Sequence, residues 1–423
     1  MLKILYLILL LTSIYSQMDD TFRIAINNDR DEVYDILNIV YQISDSIQKD
    51  SLNDCTISTK IKDEDDNIIY PLGEIIPTSF LFTIPKSIKN LEEIKNNNYY
   101  QIEGILKCDI DNIETRANYT FKKIEKIKRK VRFDEYGRMF LNDELFFPMG
   151  IFTTNAYKDY EETMNSINKT HINILISYSY LDPWFYDKVE KEYNGKIKLI
   201  NNVKSVAYNW DKGEGCIDLK EESNYNKFLS IINNFKEKSN LIGWYVNDEF
   251  DICRANYTRN RTITLHELDP DHPTLTVLDK SYKIIPFINS TDIMGYDVYP
   301  INNGNEKIRY VYDRISNQYN ILMKAKPMWA VIQTFDWAYQ KTYKNPLPPT
   351  LQEMRSMSWQ GLVAGARGLL FYSFSYMYYF NDTTPFEPRW NDVIIFTDEI
   401  WKYKDLFLSI EEVDKIEYTK NDN

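Results

Sequence analysis

Residues Leu241–Phe250 read LIGWYVNDEF. An unbroken apolar run of this length, with no polar alternation, describes a strand buried on both faces, as in a parallel sheet covered by helices. The run passes into Asp248 and Glu249 with no turn residue between. Runs of the same kind recur at Leu145–Phe152, Ile172–Tyr178, Ile197–Asn202, Leu241–Val246, Thr274–Leu278, Asp292–Tyr299, Met328–Gln333 and Gly368–Ser373. Amphipathic segments of helical length separate them. Eight such repeats over about 250 residues predict an α/β fold, a closed (β/α)8 TIM barrel. A doubly wound open sheet is the competing architecture, but it carries a glycine-rich first turn that this sequence lacks.

Three of the intervening helices can be placed. Asn224–Lys238 carries an apolar stripe of Phe228, Ile231, Ile232 and Phe235. Leu351–Ala366 follows Pro348-Pro349-Thr350, where the prolines stop the preceding segment and Thr350 can cap the helix. Trp390–Ile410 is the expected last helix of the barrel.

Upstream the rhythm is different. Thr21–Ile26, Cys55–Ile61, Ser79–Ile84, Tyr99–Cys108 and Ala117–Ile124 are short stretches of strand pattern, separated by turn clusters such as Asp63–Asn67 and Asn96–Asn98. The expected organisation is a signal peptide over 1–16, a small all-β sandwich domain over 17–128 and the barrel domain over 129–423. The leader reading rests on Lys3, the apolar run Ile4–Leu11 and the small residues Ser13 and Ser16. No later segment is apolar enough to cross a membrane. The expected route is therefore the secretory pathway, ending in secretion, the cell surface or a lysosome-like compartment.

Entry to that pathway favours disulfides, and one pair per domain, Cys55–Cys108 and Cys216–Cys253, is the simplest pairing. N-glycosylation sequons occur at Asn118, Asn168, Asn256, Asn260, Asn289 and Asn381, although a chain this rich in Asn generates them readily. The net charge of -12 argues against a nucleic-acid partner, because phosphate binding needs a basic face. The 33 Tyr and 8 Trp suit either a sugar cleft or a ring-rich core. His171, His266 and His272 lack metal-ligand spacing, and no Gly-x-Ser-x-Gly elbow is present. No metal and no cofactor is expected.

A barrel carries its active site at the C-terminal ends of its strands. Those ends offer Tyr178, Asn202, Asn247-Asp248-Glu249, Asp279, Asp297, Gln333 and Ser373. Neighbouring carboxylates, partly buried, raise one another's pKa, which suits the acid of glycosidic cleavage.

These segments resemble a known family. Val131–Phe152, VRFDEYGRMFLNDELFFPMGIF, resembles the junction at which the β-sandwich of family 2-type glycoside hydrolases enters the first barrel strand. Leu241–Phe250 resembles the fourth strand of clan A hydrolases, Asp292–Pro300 (DIMGYDVYP) their sixth, and Gln360–Tyr372 (QGLVAGARGLLFY) their last helix and eighth strand. The resemblance implies that Glu249 is the general acid/base. The chain departs from that pattern twice: Asp248 stands where an Asn is usual, and Gln333 stands where the nucleophilic Glu would end the seventh strand. Gln cannot form a covalent glycosyl intermediate.

Three explanations remain open. Asp297 can act as the second carboxylate, at about 5–5.5 Å from Glu249 in a retaining enzyme or about 6.5–9.5 Å in an inverting one. A substrate acetamido group can attack, oriented by Asp248. Or catalysis is lost and the barrel is a secreted or surface carbohydrate-binding, lectin-like protein. The expected partner in each case is an oligo- or polysaccharide or glycoconjugate. Asn247, Tyr178, Tyr296, Tyr299, Gln333, Trp184, Trp210 and Trp337 are the expected sugar-contacting residues, with Tyr296 and Asp297 on opposite faces of their strand. Trp244, inside the fourth strand, is expected in the core.

Overall fold

The computed structural model describes residues 21–154, 156, 159–179, 181–204, 222–301, 307–337, 347–379 and 385–411. Its N-terminal part holds β1 (Phe22–Ile26), β2 (Glu32–Val33), β3 (Ile36–Ile43), β4 (Cys55–Lys62), β5 (Ile68–Ile75), β6 (Leu81–Ser87), β7 (Tyr99–Cys108) and β8 (Ile113–Lys123). They form two sheets, β1-β3-β6 and β2-β8-β7-β4-β5. The sheets meet face to face. A Cβ on Gly104 of β7 would collide with Ile24 of β1 and stand 3.2 Å from Phe22, so only glycine permits this approach. Tyr41 of β3 and Thr59 of β4 also share a buried hydrogen bond of 3.0 Å between the layers.

The Cys55–Cys108 disulfide is present and ties β4 to β7 at directly paired positions. Cys216 lies outside the described residues, and Cys253 is disulfide-bonded. Asn168 and Asn260 are exposed, Asn118, Asn256 and Asn289 are half-buried, and Asn381 lies outside the described residues. Among the described residues no helix is long and apolar enough to cross a membrane.

A small meander of β9 (Val131–Phe133), β10 (Met139–Leu141) and β11 (Glu144–Phe146) follows. Its Val131, Phe133 and Met139 pack into one cluster with barrel-interior side chains such as Ile174, Ile242 and Leu370. Arg30, buried in the β-region, donates to Val131 O and Pro270 O at 2.7 Å each. Lys326, just before a barrel strand, donates to Asp31 at 2.9 Å. These contacts fasten the β-region to the N-terminal end of the barrel, away from the strand ends that carry the candidate residues.

The eight remaining strands are β12 (Met149–Thr153), β13 (Ile174–Ser177), β14 (Lys198–Asn202), β15 (Leu241–Asp248), β16 (Thr274–Leu278), β17 (Ile293–Val298), β18 (Met328–Gln333) and β19 (Gly368–Tyr372). All pair in parallel, and β19 pairs with β12 to close the barrel. The expected first run, Leu145–Phe152, is two strands: β11 ends at Phe146, Pro148 interrupts the ladder, and β12 starts at Met149.

Side chains alternate between two layers. Tyr245, Val277, Ile293, Val331 and Leu370 fill the interior, while Trp244, Val246, Met294, Tyr296 and Ile332 face the helices. Trp244 is buried in that outer layer, its indole N–H donating to Asp269 at 2.8 Å. The helix Leu351–Val363 begins at Thr350 with a full capping box to Glu353. The expected helix Asn224–Lys238 is observed as Glu222–Phe235. The expected helix Trp390–Ile410 is observed as Phe386–Lys402 followed by Lys404–Leu408.

Candidate active site

Strict alternation along β15 would turn Tyr245 inward and Asp248 outward. The pairing of β15 with β16 slips between Tyr245 and Asn247, and this bulge brings both residues to the inner face. The Tyr245 hydroxyl donates to Asp248 Oδ1 at 2.6 Å, and the Tyr178 hydroxyl from the end of β13 approaches the same oxygen at 3.4 Å. The other oxygen, Oδ2, accepts from Lys204, two residues beyond β14. Lys204 is buried, with its ammonium 3.8 Å from the Tyr178 ring centre and 4.7 Å from that of Tyr245. Burial pulls Lys204 below the usual lysine pKa, against the opposing pull of Asp248, Glu249 and Asp297.

Glu249 adopts a left-handed backbone, φ 56°. For a residue with a long side chain this costs about 1–2 kcal/mol, and such positions cluster at functional sites. Its carboxyl interacts with that of Asp297, which β17 delivers from two strands away. Burial holds the Glu249 carboxyl above the usual range. Asp279 and Asp248 add to the rise, and the Asp297 hydrogen bond and Lys283 oppose it. Asp297 is pushed well up, first by burial and then by the charge and hydrogen bond of Glu249. Glu249 is exposed at the mouth and Asp297 half-buried, and neighbouring carboxyls do not both ionise readily, so the pair retains a proton above the pH at which free carboxylates lose theirs.

Rings surround these groups. Tyr372, ending β19, lies 5.8 Å from Phe152, 6.0 Å from Tyr178, 5.7 Å from Tyr299 and 5.4 Å from Phe335, centre to centre. Trp337 joins them edge-on to Tyr299 at 6.2 Å and to Phe335 at 4.8 Å. Burial raises the Tyr178, Tyr245 and Tyr299 hydroxyls well above the usual tyrosine pKa, and the nearby carboxylates add to it.

The expected residues divide. Asp248, Glu249, Asp297, Tyr178, Tyr299 and Trp337 converge on the mouth. Gln333 does not serve there. It is fully buried, its amide nitrogen donates to Ile301 O at 2.6 Å and Phe335 O at 3.0 Å, and its oxygen accepts from Ile301 N at 2.9 Å. Its polar atoms are engaged by backbone, so it pins the loop after β17 to β18. Tyr296 points to the helix layer and donates to Asp279 O at 3.1 Å. Asn247 is buried and accepts from Phe250 N at 2.9 Å, fixing the turn that follows Glu249. Trp184 is 51% exposed in the first turn of the helix Pro183–Tyr193, edge-on to Phe185. Trp210 lies outside the described residues.

Sequence reading passed over Lys204, Tyr245, Lys283 and the central role of Tyr372. Lys204 and Lys283 lie in irregular segments just after strands, where a barrel concentrates function, and that position was the one signal available. Among the described residues no cluster of His, Cys, Asp and Glu is arranged to hold a metal ion.

No protein-family model and no curated protein matches the chain. Among solved structures it is similar to a beta-D-glucuronidase of Dictyoglomus thermophilum (13% identity, TM-score 0.44) over 84% of this chain and 62% of that one. It is also similar to beta-glucuronidases of Parabacteroides merdae (12%, TM-score 0.42) and Bacteroides uniformis (12%, TM-score 0.44). Each of these is matched over 84% of this chain, which spans 49% and 45% of their respective lengths. By its own strand pairing and the groups at its mouth, the protein is a (β/α)8 barrel with a carboxyl pair ringed by tyrosines.

Proposed function

We propose that the barrel mouth hydrolyses an O-glycosidic bond, with Glu249 as the proton donor. The observation that carries this reading is the interacting Glu249–Asp297 pair, held above the usual carboxylate range at the C-terminal end of the barrel. Glu249 gives its proton to the leaving oxygen as the C1–O bond breaks. Water then supplies the hydroxyl at C1, and its proton returns to the Glu249–Asp297 pair.

Glu249 raises the proton affinity of Asp297, which suits a shared proton held for the leaving oxygen. In this reading Asp297 is the partner that keeps the proton available. Asp248, held by Lys204 and Tyr245, is the carboxylate left to orient water or a substrate acetamido group. The rings of Tyr178, Tyr299, Tyr372 and Trp337 offer stacking faces for a saccharide.

A second reading, carbohydrate binding without turnover, is favoured by one observation: the end of β18 carries Gln333, with its amide engaged by backbone. Purified protein and Glu249→Gln assayed on a panel of aryl glycosides, alongside a glycan array, separate the two. Turnover that is lost in the variant supports hydrolysis. No turnover on any substrate, with array binding equal in both forms, supports the binding reading.

A further inference from the structure

The left-handed conformation of Glu249 is held from both sides of the residue. Its N–H donates to Val277 O at 2.8 Å, along the β15–β16 ladder. Its C=O accepts from Lys283 Nζ at 2.7 Å. Lys283 sits in the short turn Ser281–Lys283 after β16, its side chain only 10% exposed, and it also donates to Asp279 Oδ1 at 2.8 Å. Asp279 is itself anchored, because its own C=O accepts from the Tyr296 hydroxyl at 3.1 Å. A chain of contacts therefore runs from Tyr296 through Asp279 and Lys283 to the main chain of Glu249.

We infer that Lys283 is a positioning residue for Glu249: it locks the backbone carbonyl that a left-handed glutamate presents and so keeps the carboxyl against Asp297. A lysine recruited only to neutralise Asp279 would have no need to spend a buried donor on a main-chain oxygen. Without that donor, Glu249 relaxes towards the extended backbone its side chain prefers, and its carboxyl leaves the contact with Asp297. Lys283 also adds a positive charge beside the carboxyl. The charged and titratable groups around Glu249 are Asp248 on its own strand, Asp279, Lys280 and Lys283 after β16, Asp297 and Tyr299 from β17 and its end, and Lys204 after β14.

The inference rests on the reading of Glu249 as proton donor, so its test has a readout that works without turnover. The full chain, labelled with 13C at Glu carboxyls and Cα, is titrated by NMR as wild type, Lys283→Met, Lys283→Arg and Asp279→Asn. In Lys283→Met the Glu249 midpoint is expected to move upward, because the positive charge is lost. On any aryl glycoside the wild type turns over, kcat is expected to fall about tenfold to a hundredfold with KM unchanged, as for a misplaced catalytic group. Lys283→Arg restores most of both. Asp279→Asn, which loosens the anchor while keeping the lysine, gives a smaller loss of kcat and serves if Lys283→Met does not fold. A Glu249 midpoint and kcat unchanged in both Lys283→Met and Asp279→Asn overturn the positioning role. A wild type that turns over no glycoside sinks the hydrolase reading alone; the 13Cα shift of Glu249, which reports its left-handed backbone, then decides the role of Lys283, and a shift equal in wild type and Lys283→Met overturns it.

Discussion

Glu249 and Asp297 interact across strands that are not neighbours: β15 and β17 flank β16, and the charge of Glu249 raises the proton affinity of Asp297. Both lie above the usual carboxylate range, so folding takes up protons at this pair relative to the open chain. Such groups stabilise the fold below the unfolded-state pKa, and that stability is lost as pH rises through their folded values. Asp297→Asn removes the more strongly shifted member. It is expected to raise Tm at pH 7 and to flatten the decline of stability upward from pH about 4. Its amide still donates to Glu249, so the alkaline limb of any pH–rate profile moves to lower pH. Thermal unfolding across pH checks the first part, and unchanged Tm values contradict it.

The Lys204–Asp248 pair is expected to act as a unit. Both sit at the mouth, with side chains 5% and 21% exposed. Lys204→Met leaves Asp248 without its cation and is expected to cost about 3 kcal/mol. Adding Asp248→Asn should recover a large part of that cost. Urea denaturation of the four proteins in a double-mutant cycle measures the coupling, and additive losses mean the pair is not coupled.

Gly295 faces inward on β17, two residues before Asp297. A Cβ there would stand 2.8 Å from Val277 Cγ2 and 3.3 Å from Thr276 O on β16. Gly295→Ala is therefore expected to destabilise by about 1–3 kcal/mol through overpacking. A urea midpoint equal to that of the wild type would show that β16 gives way without cost.

The Cys55–Cys108 bridge closes a loop with a sequence separation of 53. In the chain-entropy picture a loop of that size contributes about 4 kcal/mol, so the double Cys→Ala variant should unfold at distinctly lower denaturant. Equal midpoints with and without the bridge contradict that estimate.

The barrel was legible because its strands are continuous apolar runs, and a run such as Met328–Gln333 keeps its meaning whatever surrounds it. The β-region was less so. β2, β3 and β5 went unread, and β5 is an exposed edge strand broken by Pro71 and by Gly73 at φ 96°. At the mouth, Glu249 and Asp297 followed from the rule that strand ends carry chemistry, and the opposed faces of Tyr296 and Asp297 followed from alternation. Gln333 is taken up by backbone, and Asn247 Oδ1 serves its own turn, because a polar residue at a strand end can bond its own backbone and sequence does not show which partner it takes. The bulge that turns Asp248 inward, and the lysines that hold Asp248 and the Glu249 carbonyl, depend on contacts distant in sequence.

Everything proposed for the mouth depends on a carboxyl that stays protonated when ordinary carboxylates have ionised. Infrared difference spectra of the full chain, wild type minus Glu249→Gln and wild type minus Asp297→Asn, measure this directly. A protonated-carboxyl band that persists near neutral pH in the wild type and is altered in both variants is the expected result. A band gone by pH about 5, as for unperturbed side chains, would contradict it.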